Sequence, residues 1–285
     1  MRIAVTGAGG LLGTALVPAL ESAGHALRAL RHADADVTRP EDLRRALGDF
    51  RPEWLVHLAA FTRVDECETR RDHAFAVNAE GARNAANAAR EAGAGLLAVS
   101  TDYVFDGRAR APYREEDPVA PLSAYGESKL AGERAVREAL PRHLIVRSAW
   151  LFGAGGPNFV DAILARARAG ETLRVVDDQR GSPTLAADLA RGITRLLEVG
   201  ATGTVHCTNA GEASWHELAA HALQTAGLPP RLERTDSASY PRPARRPAYS
   251  VLSNERYARL AGGLLPAWRD AVERYVGVSA GASGR

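Results

Sequence analysis

Gly7-Ala8-Gly9-Gly10-Leu11-Leu12-Gly13 is the stretch on which the reading of this chain turns. It follows Arg2 to Thr6, a short β-branched and apolar run. It leads into a helical pattern of Leu11, Leu12, Ala15, Leu16, Ala19 and Leu20 that ends near Gly24. Strand, glycine-rich turn and helix form the setting in which a dinucleotide fingerprint works. Gly7 permits the tight turn, Gly10 lets backbone approach a pyrophosphate, and Gly13 lets the helix pack against the strand. The pyrophosphate would rest at the helix N-terminus, where Leu11 and Leu12 stand, on free N–H groups and the positive dipole end. The spacing is G-x-x-G-x-x-G, so one glycine of the common G-x-G-x-x-G pattern falls on Leu12. A glycine turn before a buried helix looks the same locally; the flanking strand and helix favour a cofactor.

The chain beyond the turn keeps alternating. A second strand, Ala26 to Leu30, runs into Arg31-His32 and then Asp34-Ala35-Asp36-Val37-Thr38. An acid near the end of this strand would hold a ribose 2′-hydroxyl, and an arginine would accommodate a 2′-phosphate; Arg31 therefore leans towards NADP. Trp54 to Ala60 reads as a buried strand ending in small residues, Ala59 and Ala60, beside which a cofactor fits. A helical stretch from Arg71 to Glu91 precedes a fourth strand, Leu96 to Val99, and then Ser100-Thr101-Asp102-Tyr103-Val104-Phe105-Asp106-Gly107. Alternating strands and helices imply an α/β fold with a doubly wound parallel sheet. Ligands of such sheets lie beyond the carboxyl ends of the strands, where Ser100 and Thr101 can donate to a substrate oxygen. Hydroxyl capping of a strand end is the plain alternative for both.

Lys129 is the only lysine, although Lys and Arg together number 36. It lies four residues after Tyr125 in Tyr125-Gly126-Glu127-Ser128-Lys129. A GC-rich coding bias explains the many arginines, and under that bias a surviving lysine points to a task for a compact ammonium that a planar guanidinium cannot perform. On a helix, positions i and i+4 share a face, so phenol and ammonium would sit side by side. A nearby cation would lower the tyrosine pKa from ~10 by ~1–3 units, into a range suited to proton transfer. Tyr-x-x-x-Lys alone also occurs by chance in amphipathic helices.

A hydrophobic content of 46%, a charged content of 25% and a net charge of +2 describe an ordinary soluble chain. Interleaved charges argue against a nucleic-acid surface, and no apolar run approaches the ~18 residues of a membrane span. Two cysteines, Cys67 and Cys207, suggest neither a metal site nor a disulfide framework, so a reducing cytoplasm is the expected setting. His143 to Arg147 reads as a fifth strand, after which the alternation loosens. The expected division is a nucleotide-binding domain over 1–150, with a return to the sheet around 173–207, and a smaller substrate-binding lobe over 151–285. Asp188 is given no chemistry. Arg245 and Arg246 could clasp a diphosphate, though loop arginines are commonly just solvated.

With the glycine turn, the 100–107 stretch and Tyr125-x-x-x-Lys129 together, the sequence resembles the extended short-chain dehydrogenases/reductases, and more narrowly the dTDP-4-dehydrorhamnose reductase family. Further matching stretches are Asp36-Val37-Thr38, His57-Leu58-Ala59-Ala60-Phe61-Thr62, Arg147-Ser148-Ala149-Trp150, Asn158-Phe159-Val160, Asp177-Asp178-Gln179-Arg180-Gly181-Ser182-Pro183-Thr184 and Arg246-Pro247. The resemblance implies a Rossmann sheet with a C-terminal substrate lobe, and NADPH or NADH as cofactor. By it Tyr125 is the proton donor, Thr101 polarises the substrate carbonyl, and Lys129 tunes the tyrosine and holds the nicotinamide ribose. Asp36 and Val37 would contact adenine, while Asp102, Tyr103, Trp150 and Asn158 would line the sugar site. The implied reaction reduces the C4 ketone of dTDP-4-dehydro-L-rhamnose to dTDP-L-rhamnose. Mg²⁺ enters through the resemblance alone: the metal-bridged dimers of the family place carboxylates near the C-terminus, and Gly277 to Arg285 holds none. No metal ligands are read from the residues, and monomer or homodimer stays open. Two alternatives accompany this reading. One is a non-catalytic nucleotide-binding subunit like those that regulate methionine adenosyltransferase; the other is a reductase or epimerase of a different nucleotide 4-ketosugar.

Overall fold

Strand β1 (Arg2–Thr6) sits inside a six-stranded parallel sheet, with β2 (Ala26–Leu30) on one side and β3 (Trp54–His57) on the other. Beyond β3 come β4 (Gly95–Thr101), β5 (His143–Ser148) and, at the far edge, the strand Gly203–His206. The winding therefore reverses at β1, which opens a crevice past the carboxyl ends of β1 and β3. This computed structural model describes residues 1–282, with side chains through Gly277; the expectation about an acid-free tail falls on residues outside that range.

Successive strand residues face opposite sides of a sheet, and here both sides are apolar, as a parallel sheet covered by helices requires. Ile3, Val5, Val56, Leu97 and Val146 point to one side, where helix α1 (Leu11–Ser22) supplies Leu16 and Leu20. Ala4, Leu55, Leu96, Ala98 and Ile145 point to the other. There α2 (Pro40–Gly48) brings Leu43 and Leu47. Short α3 (Val64–Thr69) and α4 (Arg71–Phe75) lead to α5 (Gly81–Glu91), whose alanines pack flat on the sheet, and α6 (Ala124–Ala139) adds Val136.

The expected single helix from Arg71 to Glu91 is broken by a π-helical turn at Ala76–Glu80. The turn presents Asn78 inwards, where its amide donates to Ser128 Oγ at 2.9 Å and to the Phe61 carbonyl at 3.0 Å. Phe61 N–H donates back to Asn78 Oδ1 at 2.8 Å. Such turns recur at functional sites, and this one ties the loop after β3 to α6.

The second half builds a separate core from α7 (Phe159–Arg168), α9 (Trp215–Thr225) and the helix Trp268–Ala282. Between them in sequence, α8 (Ala186–Glu198) instead joins α1 on the main sheet through Leu189, Ile193 and Leu196. Residues 173–176 do not return to the main sheet: Leu173–Val176 pairs in parallel with Leu232–Thr235, and only Gly203–His206 docks, beside β5. The apolar faces explain the difference, since Leu173 and Val175 are buried in the second core and not against β5.

A buried ion pair fastens α6 to β5. Glu133 accepts two hydrogen bonds from Arg147, at 2.9 and 2.8 Å, and a third from Arg137 at 2.8 Å. Burial alone would raise the Glu133 carboxyl, but the Arg147 and Arg137 guanidinium groups, with the Ser100 hydroxyl, hold it below its ordinary value. Removing one partner strands the other charge without water. Glu133→Ala should therefore lower the free energy of unfolding by about 3–5 kcal/mol, measured by denaturant titration; a loss below ~1 kcal/mol would mean that Arg147 finds another partner.

Candidate active site

Two connected hollows lie along the carboxyl ends of the strands. The larger, about 500 Å³, is lined by Gly10, Leu11, Leu12, Gly13, Thr101, Asp102, Tyr103, Tyr125, Lys129 and Trp150, among others. The second, about 420 Å³, is lined by Arg31, Asp36, Val37 and Ala59. Gly7, Gly10, Leu58 and Ala60 border both, so the glycine turn is the saddle between them. Every residue expected around a cofactor thus borders one of the two hollows.

The turn has the shape a phosphate cradle needs. Gly7 has φ +70°, and a Cβ there would lie 2.6 Å from the Ala59 nitrogen. A Cβ on Gly13 would lie 2.5 Å from the Gly7 carbonyl, so α1 could not close onto the turn with any larger residue. Gly10 precedes α1 and offers no side-chain cap, which leaves the first-turn N–H groups directed at the cleft. Free donors and a positive dipole end fit a pyrophosphate. At the other end, β2 finishes without an acid: Arg31 and His32 follow it into the second hollow. Asp36 is occupied elsewhere, accepting from Thr38 N–H at 2.9 Å and from Thr38 Oγ1 at 2.8 Å. The Thr38 backbone bond holds its carboxyl below the ordinary value.

Helix α6 sets the rest. Ser123 caps it by accepting from Gly126 N–H at 3.2 Å, and Tyr125 and Lys129 follow on its buried face. Lys129 is 8% exposed and donates from Nζ to the Val99 carbonyl at 2.8 Å. Burial lowers its pKa to about 8, with Glu133 pulling the other way. Near it, His57 bonds Thr6 Oγ1 through Nδ1 at 2.9 Å. Burial and the neighbouring ammonium bring His57 down to about 3, so it stays neutral.

The expected effect of Lys129 on Tyr125 does not appear. Burial pushes the phenol above its ordinary value, the Asp102, Tyr103 and Cys67 groups push it further, and only Thr101, whose hydroxyl faces it, pulls it back. Helical spacing put the two side chains on one face, but it could not show how far that face is withdrawn from water, with Lys129 buried and Tyr125 half-buried at the cleft. Desolvation disfavours the phenolate, and the ammonium is directed at a carbonyl of β4. Thr101 itself accepts from Tyr103 N–H at 3.2 Å and donates to Asp102 Oδ1 at 2.9 Å. Tyr103 meets Tyr125 edge-on at 5.6 Å between ring centres.

Asn158 departs from expectation. It does not line the cleft: its Oδ1 caps α7 by accepting from Asp161 N–H at 3.0 Å, and its amide donates to the Gly153 carbonyl at 3.0 Å. Its neighbours Pro157 and Phe159 line the cleft instead. Trp150 does reach it, held with φ +46° and stacked on Trp215 with ring centres 3.6 Å apart and planes 5° from parallel. Trp215 was missed in the sequence. The Ser214–Glu217 capping box marks where α9 begins, but no local pattern says that Trp215 faces Trp150. Asp65 was missed too. It receives Arg242 at 2.6 Å and Arg246 at 3.0 Å, so Arg246 is committed to an ion pair that ties the second half to α3. Burial opposes ionisation of Asp65, yet hydrogen bonds from Arg246 and Arg242 outweigh it and hold the carboxyl at about 2. Asp188 is likewise structural, binding Arg274 at 2.6 Å and the Asn209 amide at 2.6 Å. Among the described residues no cluster of three or more His, Cys, Asp or Glu is placed to hold a metal.

A cradle for a dinucleotide thus continues into a space bordered by a phenol, a hydroxyl and two stacked indoles. The RmlD substrate binding domain family matches residues 1–280. A dTDP-4-dehydrorhamnose reductase of Streptomyces griseus is 44% identical over 293 residues, covering 100% of this chain and 96% of that protein. A probable dTDP-4,6-dihydroxy-2-methyloxan-3-one 4-ketoreductase of Streptomyces antibioticus is 44% identical, over 95% of this chain and 93% of its own length. Among solved structures, the dTDP-4-dehydrorhamnose reductase of Bacillus anthracis in complex with NADP superposes with a TM-score of 0.93 at 36% identity, covering 96% of this chain and 98% of that one. The chain belongs to the RmlD substrate binding domain family, on a Rossmann-type doubly wound α/β fold.

Proposed function

We propose that the protein is an NADPH-dependent reductase that converts the C4 ketone of dTDP-4-dehydro-L-rhamnose to the alcohol of dTDP-L-rhamnose. The observation that carries this is the convergence of Thr101, Tyr125 and Lys129 where the dinucleotide cradle opens into the aromatic-walled space. NADPH, when bound, supplies the hydride for C4. The α1 N-terminus and the Gly7–Gly13 turn hold its pyrophosphate, with Ala59 and Ala60 alongside. Val37 and Asp36 flank the adenine, and Arg31 takes the 2′-phosphate. Lys129 binds the nicotinamide ribose with a charge that arginine could not deliver in so small a space. Tyr125 gives its proton to the C4 oxygen as negative charge builds there, and Thr101 hydrogen-bonds the same oxygen. The high phenol pKa suits this direction of transfer, because a protonated tyrosine is what a ketone reductase needs. Asp102, Tyr103 and Trp150 border the sugar, joined by Trp215.

The full set of Thr101, Tyr125, Lys129 and Trp150 in one cleft speaks against a regulatory subunit without chemistry. A second 4-ketosugar is the reading that a specific observation favours: the Streptomyces antibioticus relative is as similar as the rhamnose enzyme from Streptomyces griseus. A few pocket side chains suffice to exchange one sugar for another. Product identification after incubation with a panel of nucleotide 4-ketosugars and NADPH decides between them. Both cysteines are free and buried, in keeping with a cytoplasmic protein.

Tyr125→Phe should lower kcat by about 10²–10⁴-fold with NADPH affinity nearly intact, as followed by NADPH absorbance and by fluorescence titration. Equal loss of cofactor binding would make the tyrosine structural. Lys129→Arg should reduce kcat/KM by about tenfold or more; wild-type turnover would remove the lone lysine from the site. Arg31→Ala should weaken NADPH by about tenfold or more and NADH far less, and equal weakening of both would take Arg31 off the 2′-phosphate.

A further inference from the structure

Thr101 Oγ1 has one proton and two lone pairs, and the structure accounts for most of them. Tyr103 N–H, which can only donate, occupies one lone pair at 3.2 Å. The proton goes to Asp102 Oδ1 at 2.9 Å, because an ionised carboxylate can only accept. What is left towards the cleft is a lone pair. A lone pair accepts from the Tyr125 phenol, which Thr101 faces, but it cannot polarise a ketone, whose oxygen also only accepts. With Asp102 ionised, Thr101 is turned away from the task that the reductase reading gives it.

Protonating Asp102 reverses the bond. The carboxylic acid then donates to Thr101 Oγ1, Tyr103 N–H keeps its lone pair, and the hydroxyl proton is free to point into the cleft. No hydrogen bond within the Thr101, Asp102 and Tyr103 group is lost, and the C4 oxygen receives two hydrogen bonds, from Tyr125 and from Thr101, instead of one.

We propose that Asp102 is a positioning residue that sets the direction of the Thr101 hydrogen bond, inwards when it is ionised and towards the substrate ketone when it is protonated. The inference rests on the reductase reading. Its surroundings shift it towards the neutral acid. Asp102 is 1% exposed, and its Oδ2 has no hydrogen-bond partner among the described residues. Burial raises the carboxyl to about 6, with the Thr101 hydroxyl and the backbone N–H groups of Asp102 and Tyr103 pulling the other way, while the nearby Ser250 hydroxyl has no hydrogen-bond partner among the described residues. The other groups around it are the phenols of Tyr103 and Tyr125, Lys129 on α6, Cys67 on α3, and Arg246 with Asp65 beyond Tyr103. Among the described residues no cation bonds the carboxyl directly, and a sugar filling the cleft would displace water and push it higher still.

The test is the pH profile of kcat and of KM for the ketosugar, in wild type, Asp102→Asn and Thr101→Val, with NADPH fluorescence confirming that each variant is folded. In wild type, kcat should fall by about tenfold or more as pH rises through the Asp102 ionisation. In Asp102→Asn that limb should vanish, because the amide donates to Thr101 at every pH; any limb near pH 8 from Lys129 should remain. Thr101→Val should lose the same limb and settle at a low kcat. An Asp102→Asn enzyme that keeps the wild-type limb would overturn the inference. So would one whose change lies only in KM, which would make Asp102 a direct sugar contact. Absence of NADPH oxidation by the wild type with any ketosugar sinks the reductase reading instead.

Discussion

The site depends on how one face of α6 is buried. Tyr125, Lys129 and Glu133 recur at every fourth position and all point into the protein, meeting in turn Thr101, the Val99 carbonyl and Arg147. Ionisable groups on a face where Lys129 and Glu133 are buried and Tyr125 is half-buried would ordinarily be a defect, since each charged form loses hydration. Here they compensate one another in sequence. Arg147 keeps Glu133 ionised, Glu133 raises Lys129 against its own burial, and Lys129 can stay charged at neutral pH with a single carbonyl as its hydrogen-bond acceptor. The ion pair that fastens helix to sheet is therefore also what keeps an ammonium available at the cleft.

This also explains which parts of the molecule could be read in advance. The glycine turn is local: strand, turn and helix are contiguous, and the steric need at Gly7 and Gly13 is set by neighbours within the same unit or on the adjacent strand. The helical spacing of Tyr125 and Lys129 is local too, and so is their shared face. Whether that face is wet is not local, and the sign of the tyrosine shift followed the burial rather than the neighbour. Asn158 failed for the opposite reason. An asparagine before an apolar helix satisfies an N-cap and a binding role equally well on paper, and here its oxygen caps α7 while its amide faces the Gly153 carbonyl, Asp161 Oδ2 and the Tyr275 hydroxyl. The Asp65 clamp joins residues 177 and 181 positions apart, and two indoles stack across 65 positions between Trp150 and Trp215. Nothing in either segment announces its partner.

The groups that would do chemistry and the aromatic wall of the cleft come from different parts of the chain. Thr101, Tyr125 and Lys129 precede Ser148, whereas Trp150, Phe159, Trp215 and Leu218 follow it. Trp150 stands at the junction with a left-handed backbone, a conformation that costs a non-glycine residue on the order of 1–3 kcal/mol and persists only where packing enforces it. Its stack with Trp215, together with the tilted contact of Phe159 on Trp215 at 4.6 Å, supplies that enforcement. The aromatic wall is thus a rigid unit rather than a set of loose contacts.

A rigid apolar wall discriminates poorly between sugars that differ by one hydroxyl, since an added or missing apolar contact is worth only ~1–3 kcal/mol. Buried polar groups discriminate far better, because a substrate that fails to pair them leaves each one unsatisfied. Asp102 and Ser148 border the cleft, and each also keeps one side-chain oxygen, Oδ2 and Oγ, buried without a hydrogen-bond partner among the described residues. Both lie at the ends of adjacent strands, Thr101 pairing with Ser148 in the register of β4 on β5. A ketosugar that fails to pair the Thr101 and Tyr125 hydroxyls would leave them unsatisfied above that buried strand end, so discrimination would come from the polar end of the sheet more than from the indoles.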